Sequence, residues 1–261
     1  MNRHVTDLAS HFEHVAPVYT NNRTTDLAPI EYIGAQLSLS PLLRGIDFGC
    51  GSGRYALALT RALPSLQLVC VDRCKRMLTT FYTALYWLDQ KQHHLLQADA
   101  SNPGIQEQTM DCVFSFNAIH HLDLARFLMS AHHLLHPNGQ LFLYTRTPEQ
   151  NRTTIWGRLF PNFAARERRL YTEAAVRRAL VKQKGLKLKK IQRFRYARSK
   201  SLKRLCQQAQ ARHYSTFALY SQEEFQAALT AFQERVGKTF TDLDRILWTD
   251  ENTLYHVIRA G

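Results

Sequence analysis

At 261 residues and a formal net charge of +13, the chain has room for one large domain, or for a core domain carrying an inserted cap. No apolar run approaches the roughly 18 to 20 residues that cross a bilayer, and the N-terminus, with Arg3, Asp7 and Glu13, lacks the apolar block of a signal peptide. Five cysteines, an odd number, fit a reducing compartment better than a disulfide framework, so the cytoplasm is the expected location.

Taken in chain order, the pattern opens with Phe12, Ala16 and Tyr19 at helical spacing, and Pro29 begins a second amphipathic helix. Ile46-Asp47-Phe48 is an apolar strand running into Gly49-Cys50-Gly51-Ser52-Gly53, with a helical pattern over 54–63 at once behind it. Glycines at alternate positions let the chain turn sharply and bring bare backbone against a ligand. Residues 67–71 form a second apolar run ending in Asp72, an acid placed to accept hydrogen bonds from both hydroxyls of a ribose. A helix is predicted over 73–89, a third strand over 94–98 closed by Asp99-Ala100, and a fourth over 111–116 followed by Asn117-Ala118-Ile119-His120-His121. A helix over 123–135 stops at Pro137-Asn138-Gly139, and residues 140–145 are the fifth strand. Strands alternating with helices predict an α/β, doubly wound, Rossmann-like sheet with its ligand at the carboxyl ends of the strands.

Beyond Pro148 the pattern changes in charge. Up to that residue 11 Lys/Arg balance 11 Asp/Glu; from Glu149 onward 23 basic residues face 10 acidic ones. Such a field attracts acidic small molecules or polyanions. Helices are predicted over 172–184, 199–211 and 221–236, the last opened by a Ser221/Glu224 capping box. A sixth strand is expected within 186–196 and a terminal one over 254–258. Trp156, Phe160, Phe163 and Tyr171 either line an aromatic pocket or hold a lid to its core. Cys70 and Cys74 have no partner pair, so no metal site is expected.

Five blocks, Asp47-Phe48-Gly49-Cys50-Gly51-Ser52-Gly53, Val71-Asp72-Arg73-Cys74-Lys75-Arg76-Met77-Leu78, Gln97-Ala98-Asp99-Ala100, Ala118-Ile119-His120-His121-Leu122 and Leu135-His136-Pro137-Asn138-Gly139-Gln140, resemble a class I S-adenosylmethionine-dependent methyltransferase, more narrowly the type 11 and ubiquinone/menaquinone-biosynthesis branch. The resemblance implies a seven-stranded, mostly parallel sheet whose last strand is antiparallel. It also implies one domain over 1–261, with lid helices at 1–43, a cofactor core at 44–147, a basic substrate-side cap at 148–249 that contains the sixth strand, and the last strand at 250–261. Asp47 would contact the amino-acid end of S-adenosyl-L-methionine, and Gly49, Gly51 and Gly53 would pack against it. Asp72 would hold the ribose with Arg73 beside it, and Met77 would lie against the adenine. Asp99 and the backbone of Ala100 would read the adenine edge, and Asn117 and Ala118 would lie near the reactive methyl. In related enzymes an N-terminal Tyr and Arg close over the cofactor, which makes Arg23 a clamp for its carboxylate, a group that guanidinium matches in two places.

The acceptor is less constrained. His120 and His121 follow the fourth strand and are candidate bases, with Tyr144 and Arg146 next; Arg146 suits an acidic substrate. His213-Tyr214 is a weaker candidate. The Pro-Pro-aromatic signature of base-amine methylation is missing at Ser115-Phe116-Asn117-Ala118, and Cys112 comes too early for ring-carbon RNA methylation. A small-molecule acceptor, of a kind that can be acidic, is therefore expected. A tRNA wobble-uridine side chain and a non-catalytic cofactor-binding protein stay open as alternatives, and oligomeric state is not legible.

Overall fold

The structure, a computed structural model, describes residues 11–16, 23–37, 41–88 and 92–261. Tyr19, Arg3 and Asp7 lie outside the described residues. Seven strands, β1 (Leu43–Phe48), β2 (Leu66–Asp72), β3 (His93–Gln97), β4 (Met110–Phe116), β5 (Leu135–Thr145), β6 (Leu186–Lys200) and β7 (Ile246–Arg259), form one sheet in the order β3-β2-β1-β4-β5-β7-β6. Neighbours from β3 through β5 run parallel, and β5 pairs antiparallel with β7, Leu143 opposite Tyr255. This is the doubly wound sheet expected, with its strand order reversing between β1 and β4.

The chain divides into two compact units. The sheet unit comprises Thr25–Thr145, Tyr171–Phe194 and Thr253–Gly261. Its strands are buried on both faces, as parallel strands between helix layers must be. Alternate residues feed opposite cores. Ile46, Phe48, Val71, Val113, Leu141, Leu143 and Tyr255 meet the Leu124–Leu134 and Glu173–Lys182 helices on one side. Leu68, Cys70, Phe114, Phe142, Tyr144 and Leu254 meet the helices Ala28–Leu37, Arg54–Ala62 and Lys75–Leu88 on the other. Asp123 caps the Leu124–Leu134 helix, its carboxylate accepting from the N–H groups of Ala125 and Arg126.

The second unit comprises the chain up to Thr24, Arg146–Leu170 and Arg195–Asn252. It closes on an aromatic core of its own: Trp156 stacks on Phe232 at 5.0 Å and meets Phe217 edge-on at 5.3 Å, while Phe160 and Phe163 are fully enclosed. These aromatics thus form packing rather than a pocket wall, and Tyr171 belongs to the sheet unit, where its hydroxyl donates to the Leu122 carbonyl. The capping box at Ser221 and Glu224 forms as the sequence predicts, at the start of the Gln222–Thr239 helix. The expected cap at 148–249 is interrupted. Residues 171–194 join the sheet unit because Val176, Leu180 and Leu186 complete one of its cores. Both late strands are longer than expected, at Leu186–Lys200 and Ile246–Arg259. Among the described residues no helix is long and apolar enough to cross a membrane.

Candidate cofactor site

Parallel strands share a direction, so the loops after β1, β2, β3 and β4 open on one edge of the sheet, at the point where strand order reverses. This brings together Asp47, the glycine loop, Asp72, Arg73, Asp99, Ala100, Asn117, Ala118, His120 and His121. The three loop glycines all have positive φ, but they face different surroundings. A Cβ on Gly49 would fall 2.4 Å from the Ala118 Cβ, and one on Gly53 would fall 2.2 Å from the Phe81 ring. A Cβ on Gly51 would meet nothing within 4 Å. Gly49 and Gly53 therefore let the loop close onto the protein, whereas Gly51 turns its bare face to open space.

Asp72 ties two loops together. One carboxylate oxygen accepts the Gly51 N–H at 2.8 Å and the other the Cys74 N–H at 2.8 Å. Each oxygen keeps a further lone pair. Burial pushes the Asp72 pKa up, and the N–H groups of Cys74 and Gly51 oppose that rise. Asp47 is more extreme: it is 1 % exposed, and its Oδ1 has no hydrogen-bond partner among the described residues. Burial, and then the charge of Asp72, hold its pKa well above the usual carboxylate value. A buried oxygen left unmet costs on the order of 1–3 kcal/mol.

Asp99 is exposed, accepts from the Ser101 N–H and hydroxyl at 2.8 and 2.6 Å, and faces Arg73 at 3.5 Å. Arg73 thus leans on Asp99. Ala100 is buried in the core on one face of the sheet, and Met77 is 2 % exposed, covered by protein. Asn117 sits at φ 53 and donates its N–H to the Tyr144 carbonyl at 2.7 Å. His120 and His121 lie on a short 3-10 turn, Ile119–His121, with ring centroids 4.0 Å apart.

Two candidates on β5 and beyond go elsewhere. Tyr144 is fully buried, and its hydroxyl donates to Asp26 Oδ2 at 2.7 Å, so it anchors residues 25–26 rather than facing an acceptor. Asp26 in turn donates its N–H to the Tyr55 hydroxyl at 3.3 Å, Arg54 reaches the Thr25 hydroxyl at 3.0 Å, and Tyr55 stacks on Phe116 at 4.4 Å. The sequence reading missed this latch; an acid two residues ahead of the Ala28–Leu37 helix was its only trace. Arg23 and Arg146 belong to the second unit, 4.2 and 5.9 Å from the Tyr214 ring.

A glycine loop beside two carboxylates, Asp47 buried and Asp72 half-buried, is a poor cradle for a diphosphate, which those acids would repel. It suits a ligand that brings cationic groups and hydroxyl donors against bare backbone. S-adenosylmethionine has both, and the open face at Gly51 with the unmet Asp47 oxygen fits it.

Known proteins agree with that chemistry. The sheet order and glycine loop define the class I S-adenosylmethionine-dependent methyltransferase fold, and residues 46–143 match the family described as methyltransferase domain. Residues 46–143 are thus a methyltransferase domain. Among solved structures the chain is similar to the methyltransferase-class protein BH2331 of Bacillus halodurans C-125, with a TM-score of 0.64 and 18% identity over 91% of this chain and 100% of that one. The YcgJ protein of Bacillus subtilis follows at 0.62 and 14%, over 89% and 98%. The geranyl diphosphate C-methyltransferase of Streptomyces coelicolor A3(2), solved with Mg2+, geranyl-S-thiolodiphosphate and S-adenosyl-L-homocysteine, scores 0.57 at 13%, over 89% and 76%. Among curated proteins none matches by sequence.

Proposed function

We propose that this enzyme moves a methyl group from S-adenosylmethionine to a small-molecule acceptor in the cytoplasm, by in-line displacement. The observation that carries the site assignment is the buried Asp47 oxygen without a partner beside the open face of Gly51. When bound, the cofactor supplies a methyl group already activated on a sulfonium. Asp47 and Gly51 would hold its amino-acid end, and the remaining lone pairs of Asp72 its ribose hydroxyls. Asp99 and the Ala100 N–H would read the adenine edge above the buried Met77. Asn117 and Ala118 would border the reacting groups.

With an activated methyl, the chain's main task is alignment, and well-oriented reactants lower a barrier by on the order of 7–11 kcal/mol. An acceptor that carries a proton also needs a base, and the adjacent His120–His121 pair just past β4 is our candidate. A small acceptor is favoured because the Streptomyces coelicolor neighbour is named for one, geranyl diphosphate. The five cysteines are in no disulfide, which supports a reducing compartment.

The test is a titration of S-adenosylmethionine into wild type and Asp72→Ala. The variant should bind at least about tenfold more weakly, a loss of ~1.4 kcal/mol; equal affinity would refute the site. Labelled cofactor incubated with fractionated cell extract then reports the acceptor. Label in the small-molecule fraction is expected. Label in RNA would favour tRNA, and cofactor binding without any transfer would mark a non-catalytic binder.

A further inference from the structure

One helix of the sheet unit is amphipathic in burial but carries almost no charge. Lys75–Leu88 turns Met77, Leu78, Phe81 and Leu85 inward and packs against β2 and β3. Its outward face presents Thr79, Tyr82, Thr83 and Tyr86 at helical spacing, with Trp87 on the flank. From Met77 to Leu88 the sequence has no Asp, Glu, Lys or Arg, whereas the solvent face of a surface helix is ordinarily charged or polar. The threonines make this face more apolar still. The hydroxyls of Thr79 and Thr83 donate to the carbonyls of Lys75 and Thr79, both at 3.1 Å, one turn back. Their polar atoms are thereby committed to the helix itself, and the methyls are left to line the surface.

Tyr82, Tyr86 and Trp87 are 64%, 72% and 78% exposed, and the Tyr86 and Trp87 rings meet edge-on at 5.6 Å. With aromatic side chains burying about 150–250 Å² each, the face offers on the order of 500 Å² of apolar surface. Two such faces together would bury about 1,000 Å², the area a specific interface must clear.

Charge and shape both favour a second copy of this chain as the occupant. A net charge of +13 makes copies repel, so they meet most readily where no charge stands. An anionic bilayer or an acidic partner would instead be met by bases, which this face lacks beyond Arg76. Let two copies of the helix cross antiparallel, with the two-fold axis between residues 82 and 83. Tyr82 of one copy then falls opposite Thr83 of the other, and Tyr86 opposite Thr79. Each large ring meets a small residue, as interdigitating layers require, and each contact occurs twice, as a two-fold demands. Lys75 and Arg76 of the two copies lie at opposite ends of such a crossing, so like charges stay apart.

We propose that the outward face of the Lys75–Leu88 helix is a homodimer interface, in which Tyr82 and Tyr86 of one copy seat against Thr83 and Thr79 of a second copy of this chain. The interface lies within the sheet unit and does not rest on the methyl-transfer reading.

Sedimentation equilibrium of the full-length protein, from micromolar to hundreds of micromolar, should give twice the chain mass. Added salt should strengthen association, because it screens the repulsion between copies and leaves an uncharged contact intact. Tyr86→Lys and Thr79→Glu each put a charge into the contact and should weaken it at least about tenfold. Mixed in equal amounts the two variants should recover the dimer, since the new lysine then faces the new glutamate. Both positions are exposed and both replacements are good helix formers, so circular dichroism should show an unchanged fold. A single-chain mass at every concentration overturns the proposal. So does a dimer that neither substitution weakens, which places the contact elsewhere, and so does a mixture no more dimeric than its parts, which denies the pairing. A wild-type monomer that floats with vesicles containing phosphatidylserine, and ceases to in Trp87→Ser, overturns it in favour of a lipid surface.

Discussion

Replacing Gly51 and Gly53 by alanine, one at a time, separates folding from binding within a single loop. Both have positive φ, 55° and 79°, so each alanine carries a left-handed penalty of roughly 1–2 kcal/mol. At Gly51 that is the whole cost, because the new Cβ meets nothing within 4 Å. At Gly53 the Cβ lands 2.2 to 2.4 Å from three carbons of Phe81, a ring with 0% exposure and no room to retreat. Overpacking adds about 1–3 kcal/mol there. Urea denaturation should therefore show Gly53→Ala losing on the order of 2–5 kcal/mol and Gly51→Ala about 1–2. Calorimetric titration with S-adenosylmethionine should show the opposite emphasis. Gly51→Ala, nearly native in stability, should bind at least about tenfold more weakly, since its methyl occupies the space assigned to the cofactor. Wild-type affinity in Gly51→Ala would place the cofactor elsewhere and refute the reasoning.

Two further perturbations test the surroundings of the site. Tyr144→Phe removes the hydroxyl that donates to Asp26 at 2.7 Å and should cost about 1.5–3 kcal/mol in urea melts, with a double-mutant cycle against Asp26→Asn assigning the loss to this pair; a cost under about 0.5 kcal/mol would dismiss the latch. Asp47 has a folded pKa above its unfolded value near 3.8, so its contribution to stability is full below that value and is lost as pH rises through the folded pKa. Asp47→Asn should accordingly melt higher than wild type at pH 8, with the gap closing toward pH 4, while binding cofactor less well; a gap that ignores pH would contradict the buried, strained carboxylate.

What the sequence discloses is what neighbours in the chain decide. The glycine loop, Asp72 and the alternation of β1 to β5 are local patterns, and the sheet follows them. Capping at Ser221 and Glu224 spans only three residues and forms as read. Long-range pairings left no such trace. Tyr144 and Asp26 are 118 positions apart, so the tyrosine looked like a group facing the site when it is a buried anchor. Arg146 reads as a lone cation until β6 and β7 bring Arg198 and Asp250 to it. The second unit draws on three separate stretches, and its limits follow from which side chains share a core; Tyr171 and Trp156, fifteen residues apart, fall in different units for that reason.

The division of the chain also bears on how the protein is made. β7 supplies Leu254, Tyr255 and Val257 to the two cores of the sheet unit, and Ile246 to the aromatic core of the other. A nascent chain that has reached Thr145 therefore carries the glycine loop and five strands, yet β5 still lacks its partner. Its unpaired edge must wait through a further hundred or so residues of synthesis, several seconds at ribosomal rates of about 5–20 residues per second. Exposed strand edges recruit other chains. For this enzyme, then, the interval before β7 emerges is the time at which a chaperone has most to do.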